Sequence, residues 1–115
     1  MKRPPETQNI FADVTASSAD EDIRDLFTSK HVRIERIVSS AHRSPPGFWY
    51  DQAQAEWVMV LAGSAGLQIE GEDEARTLRV GDHVFLDAHV RHRVEWTDAD
   101  QPTVWLAVHF DPSTK

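Results

Sequence analysis

Apolar side chains along this chain recur mostly at every second position, which is the period of a half-buried β-strand. The clearest case is Gly81 to Trp96, GDHVFLDAHVRHRVEW. Gly81-Asp82 opens a turn, and Val84-Phe85-Leu86 reads as a short apolar strand. After a second turn around Asp87 to Val90, His92, Val94 and Trp96 share one face, with Arg93 and Glu95 on the other. Upstream, Val32, Ile34 and Ile37 interleave with Arg33, Glu35 and Arg36, one alternation being imperfect. Glu56 to Leu61 and Leu67 to Ile69 are further strands, Leu78 and Val80 lead into the central stretch, and Ile10 to Val14 predicts a short edge strand. Thr103 to Phe110, TVWLAVHF, is apolar on both faces, as a central or interface strand would be.

One segment has a different period. Ile23, Leu26 and Phe27 fall at i, i+3 and i+4, which predicts a two-turn helix from about Asp20 to Phe27. Ser17, Ser18, Ala19 and Asp20 offer N-cap candidates, and the acidic first turn suits the helix dipole. About eight short strands with frequent turn signals and one short helix describe an all-β sandwich or small barrel.

Composition narrows the function. The 115 residues suffice for one domain, with residues 1–9 a loose polar tail and 10–115 the folded unit. A net charge of −7 and the lack of a basic cluster argue against nucleic acid or an anionic membrane as partner. Absence of cysteine excludes disulfides, zinc-thiolate sites and a cysteine nucleophile. No apolar run is long enough to span a bilayer, and MKRPPETQ lacks the apolar core of a secretion signal, so a cytoplasmic protein is expected. Serine-nucleophile, phosphate-loop and zinc-protease motifs are missing too.

His92 lies with the apolar set of its strand and should point inward, as either a hydrogen-bonded core residue or a metal ligand. Its surroundings resemble the second motif of the cupin superfamily, which runs Gly-Asp, apolar strand, Pro-x-Gly turn and metal-binding His. The Gly81–His92 separation agrees, with Asp87 and His89 in place of the motif's Pro and Gly. The first motif, His-x-His, Glu and a Gly seven residues later, is matched by Glu56 and Gly63. Its two histidine positions fall on Trp49 and Asp51. The phrases GFWYDQ, EWV and WLAVHF are also similar to small bacterial cupins of unassigned activity.

This resemblance implies a single cupin domain, a double-stranded β-helix or jelly-roll barrel, here with one short N-terminal helix. It also implies a site. Trp cannot ligate a metal, so Asp51, Glu56 and His92 are the implied ligands, with His109 and His89 as possible additions. Such an oxygen-rich set suits Fe, Mn or Zn. The alternative is a metal-free hydrogen-bonded cluster of the same groups. Trp49, Phe48 and Trp96 are the expected pocket walls, while Tyr50 alternates away. The implied function is binding or conversion of a small organic molecule by oxygenase, isomerase or lyase chemistry. A non-catalytic sensor and a degenerate barrel are the alternatives. Two apolar faces on Thr103–Phe110 and the exposed edge near Ile10–Val14 predict a homodimer.

Overall fold

The computed structural model describes residues 2–15 and 20–112. Eight strands run in chain order: β1 (Asp22–Thr28), β2 (Val32–Ser39), β3 (Ala55–Ala62), β4 (Ala65–Ile69), β5 (Arg76–Leu78), β6 (His83–Leu86), β7 (His92–Thr97) and β8 (Thr103–Phe110). They form two antiparallel sheets, one ordered β1-β2-β8-β3-β6 and the other β5-β4-β7. Among the described residues no helix is long and apolar enough to cross a membrane.

The two sheets enclose a core of Val58, Val60, Ala65, Leu67, Leu78, Trp105 and Ala107, with Ile37, Ile69, Val84 and Val94 packed against it. β8 lies between β2 and β3, which accounts for its apolar character on both faces. Trp105 and Ala107 point into the core from this strand, and His109 continues the same inward row toward one end.

The expected helix over Asp20–Phe27 is instead β1, paired with β2 from Asp22↔Val38 to Thr28↔Arg33. The register shifts between Asp25 and Phe27, so the extra residue Leu26 sits in a bulge. That bulge explains the misleading i, i+3, i+4 spacing, because it breaks the two-residue alternation of a strand. A helix of two turns is marginal in water, whereas pairing satisfies the free backbone groups along β2. The N-cap candidates Ser17, Ser18 and Ala19 lie outside the described residues.

Residues Ile10–Asp13 form a turn and not an edge strand. Asn9 starts it, its side-chain oxygen accepting from Phe11 N at 2.8 Å while its carbonyl accepts from Ala12 N at 3.0 Å. Arg36 holds the turn in place. It points to the outer face of β2, is only 3% exposed, and donates through Nη1 to the carbonyls of Ile10 and Ala12 at 3.1 and 2.5 Å. Its Nη2 reaches Asp22 at 3.2 Å. A charged residue is buried there because carbonyls and a carboxylate replace its water.

Glycine is required where two segments meet closely. A Cβ on Gly63, which has φ +76°, would lie 2.6 Å from Thr103 Oγ1, and one on Gly66 would lie 2.1 Å from Trp96 Nε1.

Candidate functional site

Strand register assembles the site at one end of the barrel. Arg33 pairs with His109 across β2 and β8, and His109 pairs with Glu56 across β8 and β3. Directly opposed residues share a face, so these three form an inward row across the sheet. Glu35, two residues along β2 from Arg33, joins them on that face. From the opposite sheet, β7 contributes His92.

These residues surround a cavity of about 230 Å³. Ile23, Ile37, Val58, Leu67, Val94 and Trp105 make its apolar walls; Glu21, Tyr50 and Gln52 add polar groups. Drug-sized pockets run from about 300 to 1,000 Å³, so this space suits a smaller guest.

Two histidine–carboxylate pairs face the cavity. His109, 4% exposed, places Nε2 at 2.9 Å from Glu35 Oε1. His92, 6% exposed, uses Nδ1 to meet the Val90 carbonyl at 2.9 Å, which leaves Nε2 toward Glu56 Oε1 at 3.4 Å. That second separation is an ion-pair distance and long for a hydrogen bond. Burial pushes the His92 pKa down, but Glu56 as acceptor and as charge, together with the Val90 carbonyl, outweighs burial and raises it overall. His92 therefore holds its proton to a higher pH than a free histidine.

Tyr50 enters the site through its backbone. Tyr50 N donates to His92 O at 2.7 Å, and His92 N donates to Tyr50 O at 3.1 Å. Residues opposed in this way point to the same side, so Tyr50 stacks on the His92 ring at 5.4 Å between centroids. Burial raises the phenol's pKa, and the charges of Glu21, Glu56 and Glu35 add to the rise. Arg93 fastens the segment leading to Tyr50, donating to the carbonyls of Ser44 at 3.2 Å and Pro45 at 3.3 Å.

This bridge corrects several sequence expectations at once. With Tyr50 and Gln52 inward, Trp49 and Asp51 point out. Asp51 is exposed and pairs with His89 Nδ1 at 2.8 Å. His89 sits on the turn with φ 64° and is exposed as well. Trp49 lies beneath the Arg91 guanidinium, 5.6 Å from its ring centroid, and Phe48 meets Tyr50 edge to face from an exposed position. Trp96 also leaves the cavity: β7 is bulged at Glu95, because Gly66 pairs with Trp96 while Leu67 pairs with Val94. One extra residue inverts the alternation, so Thr97 is buried and Trp96, 39% exposed, covers Gly66 from outside.

The expected metal trio Asp51, Glu56 and His92 is thus not assembled. Among the described residues no group of three or more His, Asp or Glu side chains stands close enough to hold a metal ion. His109 does reach the cavity, as does Tyr50, which was expected to alternate away; the sequence did not single out the others there, Arg33, Glu35, Gln52 and Glu21. The usable signal for the first two was their parity with Ile37, which points into the core. None existed for Glu21, since its segment read as the start of a helix.

A two-sheet antiparallel barrel of eight strands, with a small cavity between histidine–carboxylate pairs at one end, is the architecture of a single-domain β-barrel protein. The cupin domain family matches residues 40–109, and the chain belongs to that family. It is similar over 93% of its length to a crystal structure from Ralstonia eutropha JMP134 described as a candidate mannose-6-phosphate isomerase. Identity is 53%, the match covers 99% of that chain, and the TM-score is 0.91. A conserved protein of unknown function from Streptococcus pyogenes matches at TM-score 0.74 with 15% identity, over 98% of this chain and 93% of its own. A cupin superfamily protein from Desulfitobacterium hafniense DCB-2 matches at 0.72 with 17% identity, over 94% of each chain. The last two establish likeness of fold alone. No curated protein matches the chain in sequence.

Proposed function

We propose that this cupin binds a small organic molecule in its barrel cavity and catalyses isomerase-type proton transfer. The observation that carries the reading is the pair of buried histidine–carboxylate couples, Glu56–His92 and Glu35–His109, facing one cavity. The relative from Ralstonia eutropha, described as a candidate mannose-6-phosphate isomerase, supports the reaction type.

The chemistry needs one base and one acid on a carbonyl compound. Glu56, or His109 beside it, takes the proton from the carbon next to the carbonyl, and the released electron pair forms a carbon–carbon double bond. His92 Nε2–H gives a proton to the carbonyl oxygen, producing an enediol when the neighbouring carbon bears a hydroxyl. Returning a proton to the former carbonyl carbon and removing one from the other oxygen completes the exchange, with no net oxidation. Glu35 orients His109, and the Val90 carbonyl orients His92.

The test is deuterium incorporation in D₂O from a panel of small hydroxy-aldehydes and ketones, followed by NMR. Exchange should occur with the parent chain and fall about 100-fold in Glu56→Gln and His92→Asn. Full exchange in both variants would remove these residues from the mechanism.

A divalent Fe, Mn or Zn ion is the second reading, favoured by Glu56 and His92 both facing the cavity as donors. No third protein donor, His109 included, lies close enough to hold an ion together with them among the described residues, so no step is assigned to an ion. Stoichiometric metal in untagged protein, lost in both Glu56→Ala and His92→Ala, would replace the metal-free reading. We propose further that the chain forms a homodimer through the edge strand β1, on which Leu26 and Phe27 are exposed. A monomer mass at micromolar concentration in sedimentation would contradict the dimer.

A further inference from the structure

The cavity's balance of charges and hydrogen-bonding groups identifies what enters it, given the reading of that cavity as a ligand site. Arg33 Nε lies 3.2 Å from Glu35 Oε2, an ion-pair contact that leaves its buried N–H without a hydrogen-bond partner, and Glu35 is also engaged by His109. Glu56 faces His92. Glu21 is different: its carboxylate is bonded by the Ser39 hydroxyl, and no cation lies within ion-pair distance of it among the described residues. Ser39 is itself fully buried and accepts from Trp105 Nε1 at 3.2 Å, so its hydroxyl hydrogen is directed to Glu21. Gln52 Oε1 is a second acceptor, buried and without a partner. Glu35 and Glu56 line the same cavity as Glu21, so three carboxylates face the guest.

A guest must therefore bring hydrogen-bond donors and must tolerate a negative potential. A phosphate ester does the reverse. It would add negative charge and acceptors beside three carboxylates, where the one buried lining donor without a hydrogen bond among the described residues, Arg33 Nε, already has its charge balanced by Glu35. A primary ammonium group carries three donors and a positive charge.

We infer that the cavity takes a small organic ammonium compound, held by Glu21 and the Gln52 side-chain oxygen, and turns away phosphate esters. This separates the chain from the activity in its Ralstonia relative's description, although the two are 53% identical.

The experiment compares two matched sets at pH 6.5 with the full chain: mannosamine, mannose and mannose 6-phosphate, then benzylammonium, benzyl alcohol and benzyl phosphate. Affinities come from calorimetry, and weak binding is detected by ligand-observed NMR at millimolar concentration. The ammonium member of at least one set should bind roughly tenfold or more tighter than its alcohol, and the phosphates should not compete. Glu21→Gln should weaken that ammonium compound by roughly ten- to a hundredfold and change the alcohol by no more than about twofold. A phosphate or alcohol that binds better than the ammonium member in both sets overturns the ligand class while leaving the cavity a ligand site. An unchanged ammonium preference in folded Glu21→Gln overturns the assignment to Glu21. If none of the six probes binds, the ligand-site reading falls with the inference. The order of affinities is measured on the unaltered chain, so it decides the ligand class even if the variant does not fold.

Discussion

Replacing Glu56 with Gln should destabilise this barrel by an amount that depends on pH in a defined way. In the parent chain, burial alone would lower the His92 pKa, and Glu56 with the Val90 carbonyl reverses that into a net rise. A histidine whose folded pKa is raised contributes stability that is fully present below its unfolded pKa, about 6.5. The contribution is lost as pH rises through the higher folded value. Gln keeps the side chain's size but removes the charge, leaving burial opposed chiefly by the Val90 carbonyl. A hydrogen bond to a charged group is worth about 1.5–3 kcal/mol, and the 3.4 Å separation of Nε2 from Oε1 places this pair at the weak end. The expected loss is about 1 kcal/mol at pH 5.5, or about 4 °C in Tm for a chain of this length, shrinking above the folded pKa. Histidine Cε1–H titration by NMR follows the group directly, and thermal melts at pH 5.5 and 8.5 follow the stability. His92 should titrate at a lower pH in the variant. Equal destabilisation at both pH values, or an unmoved His92 titration, would refute the electrostatic account of the pair.

Other substitutions test the geometry around the site. Asp51→Ala and His89→Ala should leave ligand binding and any metal content within about twofold of the parent, because this exposed pair lies outside the cavity and exposed ion pairs contribute little; a large loss in either would restore Asp51 to the site. Gly66→Ala should cost about 1–3 kcal/mol in chemical denaturation, since its Cβ would overlap the Trp96 indole 2.1 Å away. A shift in tryptophan emission should accompany it, and an unperturbed indole would count against the packing described. Arg36→Met should lower stability by about 2 kcal/mol and increase proteolysis within residues 9–14, because the Ile10 and Ala12 carbonyls lose their donor. Unchanged cleavage there would show that the turn holds without Arg36.

Local pattern was enough for most strands. The alternation in Glu56–Leu61, His92–Val94 and Thr103–Phe110 depends on each residue's own neighbours, and β3, β7 and β8 lie over those stretches. Gly81 was legible as a turn for the same reason, and its φ is positive. His92 was legible as inward because it continues an apolar face of its strand, and Glu56 only through the motif spacing, since its strand is apolar on both faces.

What the tertiary structure alone decided is parity, the choice of which alternate residues look inward. Motif spacing placed Trp49 and Asp51 toward the cavity, but the backbone bridge between Tyr50 and His92 puts Tyr50 and Gln52 there. A bulge at Glu95 carried Trp96 outward, and one at Leu26 made a strand look helical. Arg33 shares parity with Ile37, but its pairing with His109, more than seventy residues later in the chain, is what set that face toward the site. The physical reason is common to all four. A strand's side-chain period is two, so a shift of one residue exchanges its faces, and the shift is set by hydrogen bonds to a partner strand distant in sequence.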